Sequence, residues 1–166
     1  MNALVTKEMV SPKFSVMFFI LMLNSLLNLN MDLQYDYDKL LYLIAEKESK
    51  FQCQIMDPYN TTYGRYQVTP YLVQKYGYKI PMTCDEQDQL MLKLAKMYEE
   101  LLNIKKYEFK YHNGILLHRT NLLVAMHYAP HGTIRYLETG VDFGNGLFTV
   151  SDLLRKYEKS TFYKLR

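Results

Sequence analysis

The spacing of apolar side chains along the chain favours helices over strands. After the first thirty or so residues, apolar positions recur three and four apart, and the alternation typical of strands is rare. Thr83 stands three residues before Glu86, which is a capping-box signature at the start of a long apolar period. We therefore predict a mainly α fold with a loop-rich segment around residues 52–68, which holds minimal β-structure at most.

The N-terminal segment has a different pattern. Lys7 and Lys13 precede an uncharged apolar run at residues 16–23, and amide side chains interrupt its continuation. The run is shorter than the roughly 20 residues that a membrane-spanning helix needs, and it suits the core of a signal peptide without a clear cleavage site. We predict that residues 1–31 are a signal peptide or a membrane anchor, with a buried helix as the alternative. Residues 32–166 then form one domain of an exported protein.

Composition narrows the classes of function only slightly. Of the 166 residues, 49% are hydrophobic and 22% charged, which excludes a wholly disordered chain. The net charge of +3 is too small to predict a nucleic-acid partner, although it suits a polyanionic surface. The 16 tyrosines fit the lining of a carbohydrate groove and equally fit a bias in codon usage.

The two cysteines do not indicate a metal site. Cys53 and Cys84 lack the paired spacing of a structural zinc site. His112, His118 and His131 have no ligand-like spacing either. We therefore predict no metal and no cofactor. A disulfide between the two cysteines and two buried free thiols both fit the sequence, and we favour the free thiols.

An acidic residue continues the apolar stripe of the first predicted helix. Glu48 follows Ile44 by four positions and Leu40 by eight, so it falls on the face that the helix buries. Loss of water there would raise the pKa of the carboxyl group and keep it protonated, as a general acid requires. The alternative is an exposed carboxylate at a frayed helix end. Glu46 falls on another face.

Glu48 belongs to the first of two short sequence motifs that follow each other in a recognisable order. Glu48 and Ser49 are followed by Tyr-Gly-Arg-Tyr-Gln at residues 63–67 and by a Thr-Pro helix start. A second block, Asn-Leu-Leu-Val-Ala-Met-His-Tyr-Ala-Pro-His-Gly, occupies residues 121–132. Across about residues 34–157 this order resembles the lytic transglycosylases and goose-type lysozymes of the lysozyme-like superfamily. In that family a helix ends in a catalytic Glu-Ser, and Gly-x-x-Gln follows in a loop.

The resemblance implies a lysozyme-like helical domain that cleaves peptidoglycan glycan strands. Glu48 would protonate the oxygen between N-acetylmuramic acid and N-acetylglucosamine, and the acetamido group of the substrate would stabilise the cationic sugar. Glu48 would then take the proton of the 6-hydroxyl, which gives a 1,6-anhydro product without water. An envelope-spanning secretion or phage assembly is a further candidate partner.

Other positions are candidate substrate-binding residues. They are Ser49, Tyr63, Gly64, Gln67, His127 and Tyr128. The last two are displaced from the family pattern, because alignment on Pro130 puts the family's tyrosine at Met126. Their roles are therefore open, and His127 fits a core histidine equally well.

Three other functions remain open. A muramidase would use water and a second carboxylate, for which Asp57 is the nearest candidate, although aspartate before proline is also common in turns. A binding or assembly protein could use the same scaffold with weak activity. An unrelated helical protein could match the short motifs by chance. Product analysis distinguishes the muramidase from the transglycosylase.

The leader generates the first testable prediction. A reporter fused after about Leu33 should reach the periplasm or the medium, because the apolar run at residues 16–23 acts as an export signal. Cell fractionation measures the location of the reporter. Retention of the fusion in the cytoplasm would contradict the predicted export.

Overall fold

The computed structural model describes residues 33–144 and 147–165. The predicted leader at residues 1–31 lies outside the described residues. The described chain forms two compact units. The smaller contains residues 33–34 and 163–165, which belong to two paired strands, β1 (Leu33–Tyr35) and β4 (Tyr163–Leu165).

The larger unit, residues 35–162, is mainly α-helical, as predicted. Its α-helices are α1 (Tyr37–Ser49), α2 (Pro70–Lys75), α3 (Cys84–Leu102), α4 (Arg119–Tyr128), α5 (Pro130–Thr139) and α6 (Val150–Lys156). A 3-10 helix at Ile104–Lys106 follows α3 directly. None of the described helices is long and apolar enough to cross a bilayer.

Side-chain caps define where the helices begin. The Asp36 carboxylate accepts a hydrogen bond from the backbone of Lys39 at the start of α1, and the Thr69 hydroxyl does the same for α2. Both halves of the predicted capping box between Thr83 and Glu86 are present at the start of α3. These polar residues satisfy backbone N–H groups that a helix leaves without partners.

Helix α4 lies at the centre of the core. It packs against α3, α5 and α6, while α1 packs against α3. Residues 120–126 of α4 are buried on every side, as expected for a helix with apolar residues around its whole circumference. The amide of Asn121 is satisfied inside this core, because its Nδ2 donates to the carbonyls of Leu116 and Leu154 at 3.0 and 3.1 Å.

The strands described in the larger unit lie outside residues 52–68, the segment predicted to hold what little β-structure the fold has. An antiparallel hairpin joins β2 (Tyr111–His112) to β3 (Ile115–Leu116) through a turn at Asn113 and Gly114, both in the left-handed region. An Asn-Gly pair favours this two-residue turn. The sequence therefore contains a hairpin signal that is not among the predictions above.

The segment at residues 52–68 contains isolated bridges instead of strands. Tyr63 pairs with both Met56 and Val68 across this loop. The prediction of a loop-rich segment is therefore confirmed, and its β-structure is limited to these bridges.

The expectation of free thiols is wrong. Cys53 and Cys84 form a disulfide with their Cα atoms 5.5 Å apart. The two segments are brought together by the amides of Gln54 and Gln87, which donate to the carbonyls of Met82 and Cys53 at 2.8 Å each. Spacing in the sequence could not reveal this, because the pairing depends on how the loop after α1 meets the start of α3.

Loss of the disulfide should destabilise the fold. The bond joins residues 31 positions apart, and opening a loop of that length should lower the free energy of unfolding by about 3–4 kcal/mol. Urea denaturation of the C53A/C84A double variant measures the loss. Reductant should shift the wild-type midpoint and leave the variant unchanged. Equal midpoints for wild type and variant without reductant would contradict the prediction.

Candidate active site

Glu48 lies in the last turn of α1 and is largely enclosed. The helix buries Leu40, Ile44 and Ala45, and 16% of the Glu48 side chain is exposed. The stripe that the sequence indicates therefore carries the carboxyl group into the protein, and the alternative of an exposed, frayed end is wrong. Glu46 is exposed on another face, as expected, with Lys47 3.5 Å from its carboxylate.

Glu48 meets the end of α4 at its two polar residues. The Nε2 atom of His127 lies 3.5 Å from Oε1 of Glu48, and 8% of the His127 side chain is exposed. The hydroxyl of Tyr128 also faces the Glu48 carboxylate, which interacts with it electrostatically. A carboxyl group that ends one helix is thus held between two side chains that end another.

Tyr128 is neutral at this contact. Burial raises the pKa of its hydroxyl far above the ordinary value, and the negative charge of Glu48 raises it further. The hydroxyl therefore keeps its proton at neutral pH and presents a donor beside the carboxylate. The Tyr128 ring is held edge-on by His127 on one side and by Phe148 on the other, with ring centres 5.3 and 5.6 Å apart.

The end of α4 presents its polar side chains after the core position Met126. Met126 is fully buried in the core. The next two positions emerge at the end of the helix, where they contact Glu48. In this chain the polar groups beside the carboxyl are therefore His127 and Tyr128.

A cavity of about 330 Å³ adjoins Tyr128. Its volume is at the lower end of the range for small-ligand sites. The lining is mostly apolar and comes from the end of α4, the first turns of α5 and the segment before α6: Tyr128, Ala129, Pro130, His131, Gly132, Arg135, Phe143, Gly144 and Phe148. Tyr128 is thus shared between the Glu48 contact and a space that a ligand can enter.

Ser49 and Tyr63 have structural partners. The buried Ser49 hydroxyl donates to the carbonyl of Arg65 at 2.9 Å, which ties the end of α1 to the loop. The Tyr63 hydroxyl donates to Gln54 at 2.7 Å and accepts from the backbone of Met82 at 3.0 Å, deep in the core. Their contact with substrate stays a prediction, and the structure gives each a role in holding the loop.

Gly64 and Gln67 stabilise the same loop through their contacts with other protein groups. Gln67 donates from its amide to the Gly64 carbonyl at 2.7 Å and accepts from the Thr62 hydroxyl at 2.7 Å. Gly64 has a φ of +78°, and a Cβ there would collide with the amide oxygen of Gln87. The close approach that requires glycine is thus to a protein side chain. A substrate contact of Gln67 stays a prediction.

Asp57 stabilises its own turn. Its carboxylate accepts hydrogen bonds from the backbone N–H groups of Tyr59, Thr61 and Thr62 and from the Thr61 hydroxyl, at 2.5 to 3.2 Å. The backbone of Thr62 contributes most to a lowered pKa of this exposed carboxyl, followed by Thr61 and Tyr59. Asp57 is an occupied acceptor, which suits a turn better than a general base.

Gln87 organises the loop and is not among the site residues predicted from the sequence. Its Oε1 accepts from the Arg65 backbone at 2.7 Å, and its Nε2 donates to the carbonyls of Cys53 and Met82 at 2.8 and 3.2 Å. Gln87 stands three and four positions before the buried Leu90 and Met91. The signal was therefore a polar residue on an apolar stripe, as for Glu48.

The site contains no recognisable metal centre in the part of the chain that the structure describes. No group of three or more histidine, cysteine or acidic side chains there could hold a metal ion. Comparison of the chain with family models, with curated proteins and with solved structures finds no match.

Two glycines test the contact with Gln87. Gly64 and Gly77 have φ values of +78° and +80°, but only Gly64 has a side chain in the space of its missing Cβ. G77A should cost about 1 kcal/mol for the left-handed backbone alone. G64A should cost about 2–4 kcal/mol because Gln87 must also move and lose its hydrogen bonds. Urea denaturation measures both, and equal losses would show that the Gln87 contact does not require glycine.

Proposed function

We propose that the protein is a peptidoglycan lytic transglycosylase in which Glu48 acts first as an acid and then as a base. The observation that carries the proposal is the enclosed Glu48 carboxyl held by His127 and Tyr128 beside the cavity. A positioned carboxyl group of this kind can exchange a proton with a bound substrate. The order of the motifs around it supports the same function and a lysozyme-like fold.

In the first step, protonated Glu48 donates its proton to the oxygen that joins N-acetylmuramic acid to N-acetylglucosamine. The bond between that oxygen and C1 of the muramic acid breaks, and the leaving sugar departs with a hydroxyl group. The acetamido oxygen of the muramic acid bonds to C1 and takes up the positive charge. This use of the substrate's own acetamido group removes the need for a second carboxylate.

In the second step, the Glu48 carboxylate removes the proton of the 6-hydroxyl on the same sugar. The 6-oxygen bonds to C1 and displaces the acetamido oxygen, which leaves a 1,6-anhydro ring. Glu48 ends the cycle protonated, so no water and no outside acid are consumed. Between the two steps the Tyr128 hydroxyl stabilises the carboxylate by donating to it, while His127 holds it in position.

Hydrolysis assisted by Asp57 has less support. A general base must accept a proton from water, yet the Asp57 oxygens already accept four hydrogen bonds within the turn. Those donors favour the charged form and reduce its basicity, in agreement with the lowered pKa. We therefore place both proton transfers on Glu48.

The proposed location is the cell envelope or the exterior of the cell. Peptidoglycan lies there, and the Cys53–Cys84 disulfide supports this location because disulfides persist in oxidising compartments. Glycan strands are the proposed partner. Work within an envelope-spanning secretion or phage assembly belongs to the same proposal, since such assemblies must pass the wall.

The E48Q variant tests the proposed function. Glutamine keeps the shape of the side chain but cannot donate the catalytic proton, so release of soluble muropeptides from sacculi should fall at least about a hundredfold. The E46Q variant is the matched control on the same helix and should retain full activity. Folding of both is checked by circular dichroism.

The same assay separates the alternatives. The D57N variant should stay within a few-fold of wild type, whereas an equally severe loss would favour the muramidase. Undiminished release by a folded E48Q variant would show that Glu48 is not the acid. A wild-type protein that binds sacculi and releases nothing would favour a non-catalytic role in assembly.

A further inference from the structure

We propose that the cavity beside Tyr128 binds the lactyl substituent of N-acetylmuramic acid in glycan strands that carry no stem peptide there, and that Arg135 is the cation that receives its free carboxylate. The inference rests on the proposed function and adds to it the orientation of the glycan strand in the site. It assigns the muramic acid, and not the N-acetylglucosamine, to the Tyr128 side of Glu48. The substituent on the 3-oxygen is the chemical difference between these two sugars.

The walls of the cavity suit the apolar parts of such a ligand. The rings of Phe143, Phe148 and Tyr128 and the ring of Pro130 all line it. A Cβ at Gly132 would lie 2.7 Å from the Phe143 ring, so glycine is needed to keep that wall in place. Aromatic faces of this kind pack against the C–H face of a sugar and against the lactyl methyl group.

The ionisable side chains that line the cavity are basic. They are Arg135 and His131, apart from Tyr128, which is neutral, and no carboxylate is among the described lining residues. In the described ranges the Arg135 guanidinium makes no ion pair, in contrast to Arg65, which pairs with Asp88 at 2.8 Å, and Arg119, which pairs with Glu108 at 3.2 Å. A guanidinium beside an apolar cavity and without a protein carboxylate is available to one from a ligand.

A guanidinium recognises a carboxylate by two parallel hydrogen bonds, which gives geometric selectivity as well as attraction. N-Acetylglucosamine carries a neutral hydroxyl at the same carbon and would leave Arg135 without a charged partner. The volume of about 330 Å³ accommodates one sugar residue with its substituent at most. Because Tyr128 also contacts Glu48, a muramic acid bound there lies next to the acid that must protonate its glycosidic oxygen.

Binding of monosaccharides tests this assignment without any need for cleavage. The probes are N-acetylmuramic acid, N-acetylglucosamine and N-acetylmuramoyl dipeptide, titrated into the wild-type chain and two variants by calorimetry or NMR. N-Acetylmuramic acid should bind about tenfold more tightly than N-acetylglucosamine. R135Q should abolish that preference, and R155Q, an exposed arginine of α6 outside the cavity lining, should retain it.

The dipeptide probe separates the two sources of a carboxylate. In the muramoyl dipeptide the lactyl carboxyl group is bonded as an amide. Binding of this probe that depends on Arg135 would therefore show that Arg135 pairs with the carboxylate of the peptide. Binding of N-acetylmuramic acid alone would assign Arg135 to the free lactyl group. Equal binding of both monosaccharides to wild type, or equal losses in R135Q and R155Q, would overturn the assignment of Arg135.

Failure of this inference is distinguishable from failure of the proposed function. A protein that cleaves sacculi without any Arg135-dependent preference keeps the function and loses the binding site. A protein that shows the preference and cleaves nothing keeps the binding site and loses the enzyme. Melting temperatures of both arginine variants should match that of wild type, since neither guanidinium makes an ion pair in the described chain.

Discussion

The candidate site depends on the contact between the last turns of α1 and α4. Glu48 lies in the last turn of one helix, and His127 and Tyr128 end the other. The carboxyl group lies 3.5 Å from the imidazole and interacts electrostatically with the tyrosine hydroxyl. Helix α1 is fixed by its buried stripe and α4 by burial around its whole circumference. The three polar groups are therefore brought together by packing elsewhere. A shift of either helix by one residue would separate them, because neighbouring helical positions point in different directions.

The loop beside this contact is held by a disulfide and by side chains from α1 and α3. The Cys53–Cys84 disulfide, the Gln87 amide and the Ser49 hydroxyl tie residues 53–65 to α3 and to the end of α1. The hydrogen bonds of Gln87 and Ser49 satisfy backbone groups in an irregular segment that has little regular secondary structure of its own. The conformational entropy lost on ordering such a loop is offset by interactions with side chains from two helices.

Periodicity and capping chemistry predict the helices well, because both are local properties of the sequence. The capping box at Thr83 and the position of Glu48 on the α1 stripe follow from spacing alone. The disulfide and the roles of Gln87 were not predicted, since they join segments distant in sequence. Even Gln67, placed at a substrate by resemblance, has its amide occupied inside the loop. Residue type and order indicate a candidate chemistry, while the partners of each side chain depend on tertiary packing.

The central claim is that Glu48 transfers both protons and water takes no part. The most direct measurement is mass spectrometry of the muropeptides that the wild-type protein releases from sacculi in heavy-oxygen water. Our account predicts 1,6-anhydro ends, lighter than reducing ends by one water molecule and free of the heavy isotope. Reducing ends that carry heavy oxygen would contradict the account and identify a hydrolase.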